Sequence, residues 1–168
     1  LEKILRKMMS ELTELKNNFI NEINFKEQFS RELVYSRSIQ KKRLVSYTLL
    51  KINTHITEGT GELTIDQAMV NMEHILPQSP EQWGLEKNEI EEYVNLIGNI
   101  TLLSKKLNSK IGNRKLSEKL PHLSESELEI TKRLVHSIKE NGMKWDEGAI
   151  LSRSNELAEI AYSNIWNI

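Results

Sequence analysis

The sequence predicts a mainly helical α+β fold, in which a small strand–loop–strand–helix unit lies between two helical flanks. Two observations lead to this prediction. In the first and last parts of the chain, apolar residues recur every three or four positions, which is typical of amphipathic helices. In the middle, proline and glycine interrupt short apolar runs of the kind that form strands.

The N-terminal part of the chain is predicted to be helical. Apolar stripes with helical spacing run through residues 1–20 and 39–56, and a Gly-Thr-Gly turn at 59–61 follows the second stripe. The chain begins within the first stripe. We therefore expect residues 1–57 to form an N-terminal helical region that links to a domain upstream.

Two strands are predicted in the middle of the chain. The first lies in the compact apolar run 68–76, which ends at Pro77. Proline disfavours a continuing helix and favours extended geometry in the residue before it. The second strand is the run Asn-Ile-Thr-Leu-Leu at 99–103, which is rich in β-branched and apolar residues.

Helices are predicted between and after these strands. A short helix is expected at 86–95, and Ser104 is a suitable N-cap for a helix that follows the second strand. Gly112 is expected to end or kink that helix. Together, these elements predict a core domain over residues 58–120.

The C-terminal region, residues 121–168, is predicted to be helical and to pack on this core. Ser124 and Glu127 have the spacing of a capping box, which predicts the start of a helix there. The Asn-Gly pair at 141–142 is expected to end that helix. A last helix is expected over 146–165, where apolar residues again have helical spacing.

Composition restricts the possible chemistry. The chain has 168 residues, of which 38% are hydrophobic and 28% charged, as in a folded globular protein. It contains no cysteine, so any metal ion would be held by histidine, carboxylate or amide oxygen rather than by thiolates. No apolar run is long enough to cross a membrane and no signal peptide is evident, so we expect a cytoplasmic location without membrane contact.

Positive charge is concentrated in two clusters, although the net charge of −1 gives no general argument for nucleic-acid binding. The first cluster consists of Lys105, Lys106, Lys110, Arg114, Lys115 and Lys119. Such a run is usually a solvated helix face, but beside a phosphodiester-cleaving site it becomes a phosphate-binding surface. The second cluster lies between Arg31 and Arg43 and is predicted to be a solvated helix, with DNA contact as the alternative.

Glu73 and His74 stand side by side within an apolar run that stops at a proline. Neighbouring residues on a strand point to opposite faces, but at a strand end both side chains can reach one site. Histidine is suited to accept a proton near neutral pH, and a carboxylate is a hard oxygen ligand for Mg²⁺. Alone, such a pair is more often a surface ion pair than a catalytic site.

Asn99 and Asn108 flank the second predicted strand and the start of the basic helix. This order can return Asn108 to a position next to the strand that carries His74. Asparagine offers a neutral oxygen to a metal ion and an amide N–H to a backbone carbonyl. The competing interpretation of Asn99 is a turn residue after Gly98. A third asparagine, Asn113, follows Gly112, and its competing interpretation is a helix C-cap.

These motifs resemble a known family. The segments Glu-His-Ile-Leu-Pro-Gln at 73–78, Tyr-Val-Asn-Leu-Ile-Gly-Asn-Ile-Thr-Leu-Leu-Ser at 93–104 and Leu-Asn-Ser-Lys-Ile-Gly-Asn at 107–113 look like the HNH (His-Me finger) nuclease domain at the C-terminal end of GmrSD-type restriction enzymes. The C-terminal pattern is also similar to the tail of that family, and it consists of Trp145, Ile150, Arg153, Leu157, Ala158, Ala161 and Trp166. The resemblance covers roughly residues 40–168, and the first two motifs are specific when taken together.

The resemblance implies a ββα-metal core in which Glu73 and Asn108 hold one divalent metal ion. This ion would be Mg²⁺, with Mn²⁺ or another divalent cation as alternatives. His74 would be the general base that activates water, and Asn99 would sit on the second strand and brace the loop or orient His74. Asn113 is a further candidate on the same helix as Asn108.

The resemblance also implies DNA as the partner and a role in the restriction of phage or modified DNA. The first basic cluster would then bind DNA phosphates, and hydrolysis would leave a 5′ phosphate and a 3′ hydroxyl. An N-terminal domain that binds nucleotide and senses modified DNA would precede this chain.

Two competing functions use the same residues differently. A non-catalytic DNA-binding or subunit-docking module with a retained HNH-like fold would suit the near-neutral net charge, but the intact set of Glu73, His74, Asn99 and Asn108 argues against it. A zinc hydrolase is a poor fit, because the sequence has neither a His-Glu-x-x-His motif nor cysteine.

Overall fold

The computed structural model describes residues 22–57 and 69–166. The α-helices in these ranges are α1 (Glu22–Glu32), α2 (Ile39–Thr57), α3 (Lys87–Ile90), α4 (Lys105–Ile111), α5 (Leu116–Ser124), α6 (Glu129–Glu140) and α7 (Glu147–Ile160). The strands are β1 (Val70–His74) and β2 (Ile100–Ser104), and single 3-10 or π turns cover Glu81–Trp83, Ile97–Asn99 and Ala161–Ile165. The predicted mainly helical α+β fold is confirmed.

β1 and β2 form an antiparallel two-stranded sheet, in which Val70 lies opposite Ser104 and His74 lies opposite Ile100. α4 begins directly after β2, where the Ser104 hydroxyl accepts a hydrogen bond from the Leu107 backbone N–H at 3.2 Å. Ser104 is therefore the N-cap that the sequence predicts. The two strands and α4 form the predicted strand–loop–strand–helix unit.

β2 separates two hydrophobic cores, because successive side chains of a strand point to opposite faces. Leu103 belongs to a core built mainly with α4, α5 and α6. Ile100 and Leu102 belong to a second core that includes buried residues of α2 and α7. Both helical flanks therefore pack on the central unit, and the segments before and after it contribute to its cores.

α2 confirms the helix predicted over 39–56. Its inward face carries the fully buried Val45, Leu49 and Ile52 at three- and four-residue spacing, whereas Leu44 and Tyr47 of the predicted apolar stripe are exposed. The predicted helix over 1–20 and the turn at 59–61 lie outside the described residues.

The predicted start of a helix at Ser124 is wrong, because Ser124 is the last residue of α5. Leu116, Leu120 and Leu123 are buried at helical spacing, and burial of this stripe outweighs the local capping pattern. The next helix, α6, begins only at Glu129.

Two further helices differ in extent from the prediction. α3 covers only four residues of the predicted 86–95, and turns and a bridge follow it. α7 begins after Asp146, whose Oδ1 accepts a hydrogen bond from the Ala149 N–H at 3.0 Å, and it continues into a π turn, so the helix predicted over 146–165 is confirmed. None of the helices in the described ranges has the length and apolar character needed to traverse a bilayer.

Candidate active site

Glu73 and His74 are the last two residues of β1. The sheet register places Glu73 opposite Thr101 of β2. Just beyond the strand, the Ile75 N–H donates to the Asn99 carbonyl at 3.0 Å, so the backbone is held on both sides of the pair. The two side chains therefore project from a rigid part of the backbone, which favours precise positioning.

The His74 ring is mostly buried and contacts the side chains of Asn95 and Tyr35. Its Nε2 lies 3.3 Å from the Asn95 amide oxygen, and Gln78 Nε2 donates to the same oxygen at 2.7 Å. The Tyr35 ring meets the imidazole edge-on, with ring centroids 4.7 Å apart. Because an amide oxygen only accepts hydrogen bonds, His74 Nε2 carries the ring proton, and Nδ1 of the neutral ring has a free lone pair.

The charge state of His74 follows from its surroundings. Burial lowers the pKa of His74 to about 4, with a smaller lowering contribution from the Lys119 ammonium, while the hydrogen bond to Asn95 opposes the shift. The imidazole is therefore neutral at pH 7. A neutral ring with an unprotonated Nδ1 can accept a proton from a water molecule.

Lys119 of α5 joins both residues of the pair. Its Nζ donates to Glu73 Oε1 at 2.7 Å and to the His74 carbonyl at 2.6 Å, and its side chain is 0% exposed. The prediction that Lys119 belongs to an exposed DNA-binding surface is wrong, because these two contacts bury its ammonium. Burial raises the pKa of the Glu73 carboxyl and lowers that of Lys119, while their mutual attraction opposes both shifts.

Asn99 is fully buried in the turn directly before β2, one residue earlier than its predicted place on the strand. Its Oδ1 accepts from the Leu76 N–H and from Trp145 Nε1, both at 2.9 Å. Its Nδ2 donates to the Leu76 and Val94 carbonyls at 2.8 Å and 2.7 Å. The amide is therefore engaged on all sides, and it holds the loop after β1 in place.

The turn that contains Asn99 is itself held by α7. The Gly98 N–H donates to Ser154 Oγ at 3.1 Å. Arg153 Nη1 donates to the carbonyls of Gly98 at 2.6 Å and Ile100 at 2.8 Å, and its guanidinium is buried. The C-terminal helix therefore fixes the backbone on both sides of Asn99.

Asn108 lies on α4, and its amide oxygen is buried without a hydrogen-bond partner among the described residues. A buried acceptor without a partner costs free energy, so this oxygen suits a ligand that the protein does not itself supply. Glu73 offers a second oxygen, because the described hydrogen bonds and ion pairs of its carboxylate use Oε1 only.

Each of these oxygens is of the hard kind that a divalent cation such as Mg²⁺ prefers. Mg²⁺ prefers oxygen ligands and usually keeps several waters, so one carboxylate and one amide are enough protein ligands. Among the described residues, no group of three or more His, Asp or Glu side chains could hold a metal ion. An ion bound by Glu73 and Asn108 would therefore complete its coordination with water and phosphate oxygens.

The family model for the C-terminal domain of GmrSD restriction endonucleases matches residues 19–160. The chain belongs to this family. No curated protein and no solved structure matches the chain. The resemblance to the C-terminal domain of GmrSD restriction enzymes is thus confirmed, and membership in a family of restriction endonucleases implies nuclease function and interaction with DNA.

The first basic cluster of this GmrSD C-terminal domain lies largely on its surface. The exposed cations are Lys105, Lys106, Lys110, Arg114 and Lys115. One of them is partly neutralised, since Lys110 Nζ lies 3.7 Å from Glu125 Oε2. Asn113 is exposed in the turn after Gly112, so the prediction that it shares the helix of Asn108 is wrong, because α4 ends at Ile111.

Asn95, Tyr35 and Arg153 contact the site or its supporting turn, but the sequence predicts no role for them. Asn95 gave a weak signal, as a polar residue between the apolar Val94 and Leu96. Arg153 gave a similar signal inside the apolar pattern of the last helix. Tyr35 gave none, because its proximity to His74 depends on tertiary packing.

Proposed function

We propose that this GmrSD C-terminal domain is a metal-dependent HNH DNA endonuclease in which His74 is the general base. The main support is the tautomer of His74, whose Nε2 proton is directed to Asn95 and whose Nδ1 is left as a base. The position of this histidine at the end of β1, in a ββα unit with the unpartnered Asn108 oxygen, supports the same function.

The proposed reaction is hydrolysis of a DNA phosphodiester. His74 Nδ1 takes a proton from water, and the water oxygen attacks phosphorus as the bond to the 3′ oxygen breaks. The leaving 3′ oxygen takes a proton from solvent, and the products are a 5′ phosphate and a 3′ hydroxyl. Asn95 keeps the ring in the reactive tautomer, and Asn99 holds the loop that follows His74.

Glu73 and Asn108 would hold the divalent cation, which when bound stabilises negative charge on the phosphoryl and leaving oxygens. Lys119 fixes one oxygen of the Glu73 carboxylate, so the orientation of the other oxygen is set before a cation arrives. Exposed cations of the first basic cluster would contact DNA phosphates on the side of α4.

A plasmid assay tests this proposal. Supercoiled DNA would be incubated with the protein in Mg²⁺, Mn²⁺ or EDTA, and we expect nicked or linear DNA only with metal. His74→Ala should lower the rate by about 10²- to 10⁴-fold, the usual contribution of a general base. His136→Ala is a matched control, because His136 lies on α6 and its side chain is 73% exposed.

The result that would overturn the proposal is a folded His74→Ala variant that cuts DNA at the wild-type rate. Absence of cutting by folded wild-type protein in every metal would favour the second candidate below or a requirement for the proposed N-terminal nucleotide-binding domain. Repeating the assay with that domain attached separates these two explanations.

A non-catalytic DNA-binding or subunit-docking module is the second candidate. The observation that favours it is the buried Lys119, which already provides a cation to the Glu73 carboxylate. This candidate predicts DNA binding that is the same in Mg²⁺ and EDTA, with no nicks in any metal.

A further inference from the structure

Residues 33–57 form a strongly basic stretch beside the candidate active site. This stretch contains no aspartate or glutamate, and its cations are Arg37, Lys41, Lys42, Arg43 and Lys51. All but Lys42 are exposed. The stretch includes the whole of α2 and the segment that leads into it, and we call these five cations the α2 cluster.

The α2 cluster is not neutralised by acidic side chains. Within the described parts of the chain, none of its members forms an ion pair, whereas Lys110 and Lys119 of the first basic cluster both have carboxylate partners, at 3.7 Å and 2.7 Å. Cations without acidic partners produce a positive potential that attracts polyanions.

The backbone joins the segment before α2 to the stretch that contacts His74. The Tyr35 N–H donates to the Asn95 carbonyl at 2.8 Å, and Val34 pairs with Leu96 in an isolated antiparallel bridge. The segment before α2 is therefore hydrogen-bonded to the same short stretch that orients the His74 ring.

Side-chain contacts continue this connection. The Tyr35 ring lies against the His74 ring at 4.7 Å between centroids, and Lys42 Nζ lies 5.2 Å from the centroid of the same Tyr35 ring. One aromatic side chain thus separates the catalytic imidazole from the first turns of α2. Arg43 and Lys51 carry exposed positive charge further along α2.

The stability of α2 does not explain these positions. Lys41, Lys42 and Arg43 lie in the first two turns of the helix, and its first turn has no acidic residue. Cations at a helix N-terminus oppose the helix macrodipole and are therefore unfavourable there. The cluster lowers helix stability, so a bound anion is a better explanation for it than helix formation.

We propose that the α2 cluster is a second DNA-backbone contact, formed by residues that precede β1 in the chain, whereas the first basic cluster begins on α4 after β2. Arg37, Lys41 and Arg43 contact phosphates directly, while Lys42 packs on Tyr35 beside the catalytic ring. The ligand class is the sugar–phosphate backbone of DNA, which matches an unpaired, acid-free row of cations. This inference rests on the proposed function, because DNA is the substrate there.

Salt-dependent DNA binding tests the inference. The protein would be titrated with a short fluorescein-labelled duplex in EDTA, which prevents metal-dependent cutting, and anisotropy would be followed from about 50 to 200 mM salt. The test variant is Arg37→Gln/Lys41→Gln/Arg43→Gln. The control is Lys132→Gln/Lys139→Gln/Lys144→Gln, which removes the same charge from exposed positions on and after α6.

We expect the test variant to bind at least about tenfold more weakly and to lower the salt slope by roughly 0.9 for each lost phosphate contact. The control variant should keep the wild-type slope. Equal slopes in the two variants would overturn the inference. An unchanged DNA slope with reduced binding to phosphatidylserine vesicles would overturn it as well, since the ligand would then be a lipid surface.

Failure of this inference is distinguishable from failure of the nuclease proposal. If wild-type protein cuts plasmid in Mg²⁺ but the test variant binds DNA like the control, the proposed DNA contact of α2 is wrong. The nuclease proposal then still stands. If wild-type protein never cuts but the test variant alone loses DNA binding, the α2 contact stands without catalysis.

Discussion

Asn95 determines which nitrogen of His74 is free to act as a base. Its amide oxygen is 3.3 Å from His74 Nε2 and also accepts from Gln78 at 2.7 Å, which fixes the direction of the amide. Because Nε2 then carries the proton, the lone pair is on Nδ1. Asn95 is therefore a positioning residue in the proposed mechanism, since it acts through His74.

We expect Asn95→Ala to lower the cleavage rate by about tenfold, less than the full contribution of a general base, because the ring proton would distribute over both nitrogens. Plasmid cleavage measures the rate, and ¹⁵N NMR of His74 reports the tautomer independently of catalysis. Asn155→Ala, at an exposed asparagine of α7, is the control. A variant that keeps both the Nε2–H tautomer and the wild-type rate would contradict this role.

Lys119 shows how one residue can connect the charges of the site with its backbone. It donates hydrogen bonds to the Glu73 carboxylate and to the His74 carbonyl. Its helix, α5, begins at Leu116, which is 42 positions after His74. Removing one partner of a buried ion pair leaves an uncompensated charge, which is costly. Lys119 therefore supports the site from within, and only the exposed members of the first basic cluster are proposed to contact DNA.

At the scale of elements, the turn Ile97–Asn99 depends on close packing against α7. A Cβ atom on Gly98 would lie 2.1 Å from the Ile150 carbonyl oxygen and 2.4 Å from Ser154 Oγ. The first of these atoms belongs to the helix backbone and cannot move alone. Glycine is therefore required here by the approach of two elements and not by an unusual backbone angle.

Gly98→Ala should lower the free energy of unfolding by at least about 1–3 kcal/mol, because the added methyl group forces α7 away from the turn that holds Asn99. Urea unfolding measures the change. Gly148→Ala is a control on the same helix, since its added Cβ would meet only Asp146 Oδ1 at 3.5 Å and alanine favours a helix. Equal stability of both variants would show that the turn and α7 are not tightly coupled.

The elements that the sequence predicted correctly have local causes. Ser104 caps α4 through a hydrogen bond to a residue three positions away, and Gly112 ends the helix by its own conformation. The contacts that the sequence did not predict join distant positions. His74 and Asn95 are 21 residues apart, and Arg153 reaches Gly98 across 55 residues, so no local pattern contains either contact.

At the scale of the whole molecule, the site and the fold share the same buried groups, so the titration of His74 affects stability. Its pKa is about 4 in the folded protein and 6.5 for the unperturbed group. Between these values, the unfolded chain binds a proton that the folded protein does not. Stability contributed by neutral His74 is therefore present above pH 6.5 and is lost as the pH falls towards 4.

We expect the free energy of unfolding to fall by up to roughly 3 kcal/mol from this residue between pH 6.5 and about 4, since one pKa unit corresponds to about 1.4 kcal/mol. Urea unfolding at several pH values measures the decline. Glu73 acts in the opposite direction, because burial raises its pKa and its protonation stabilises the fold in acid. The informative quantity is thus the difference between wild type and His74→Gln, which removes only the histidine titration. The variant should show a smaller decline than wild type. Identical declines would mean that His74 has the same pKa in the folded and the unfolded protein.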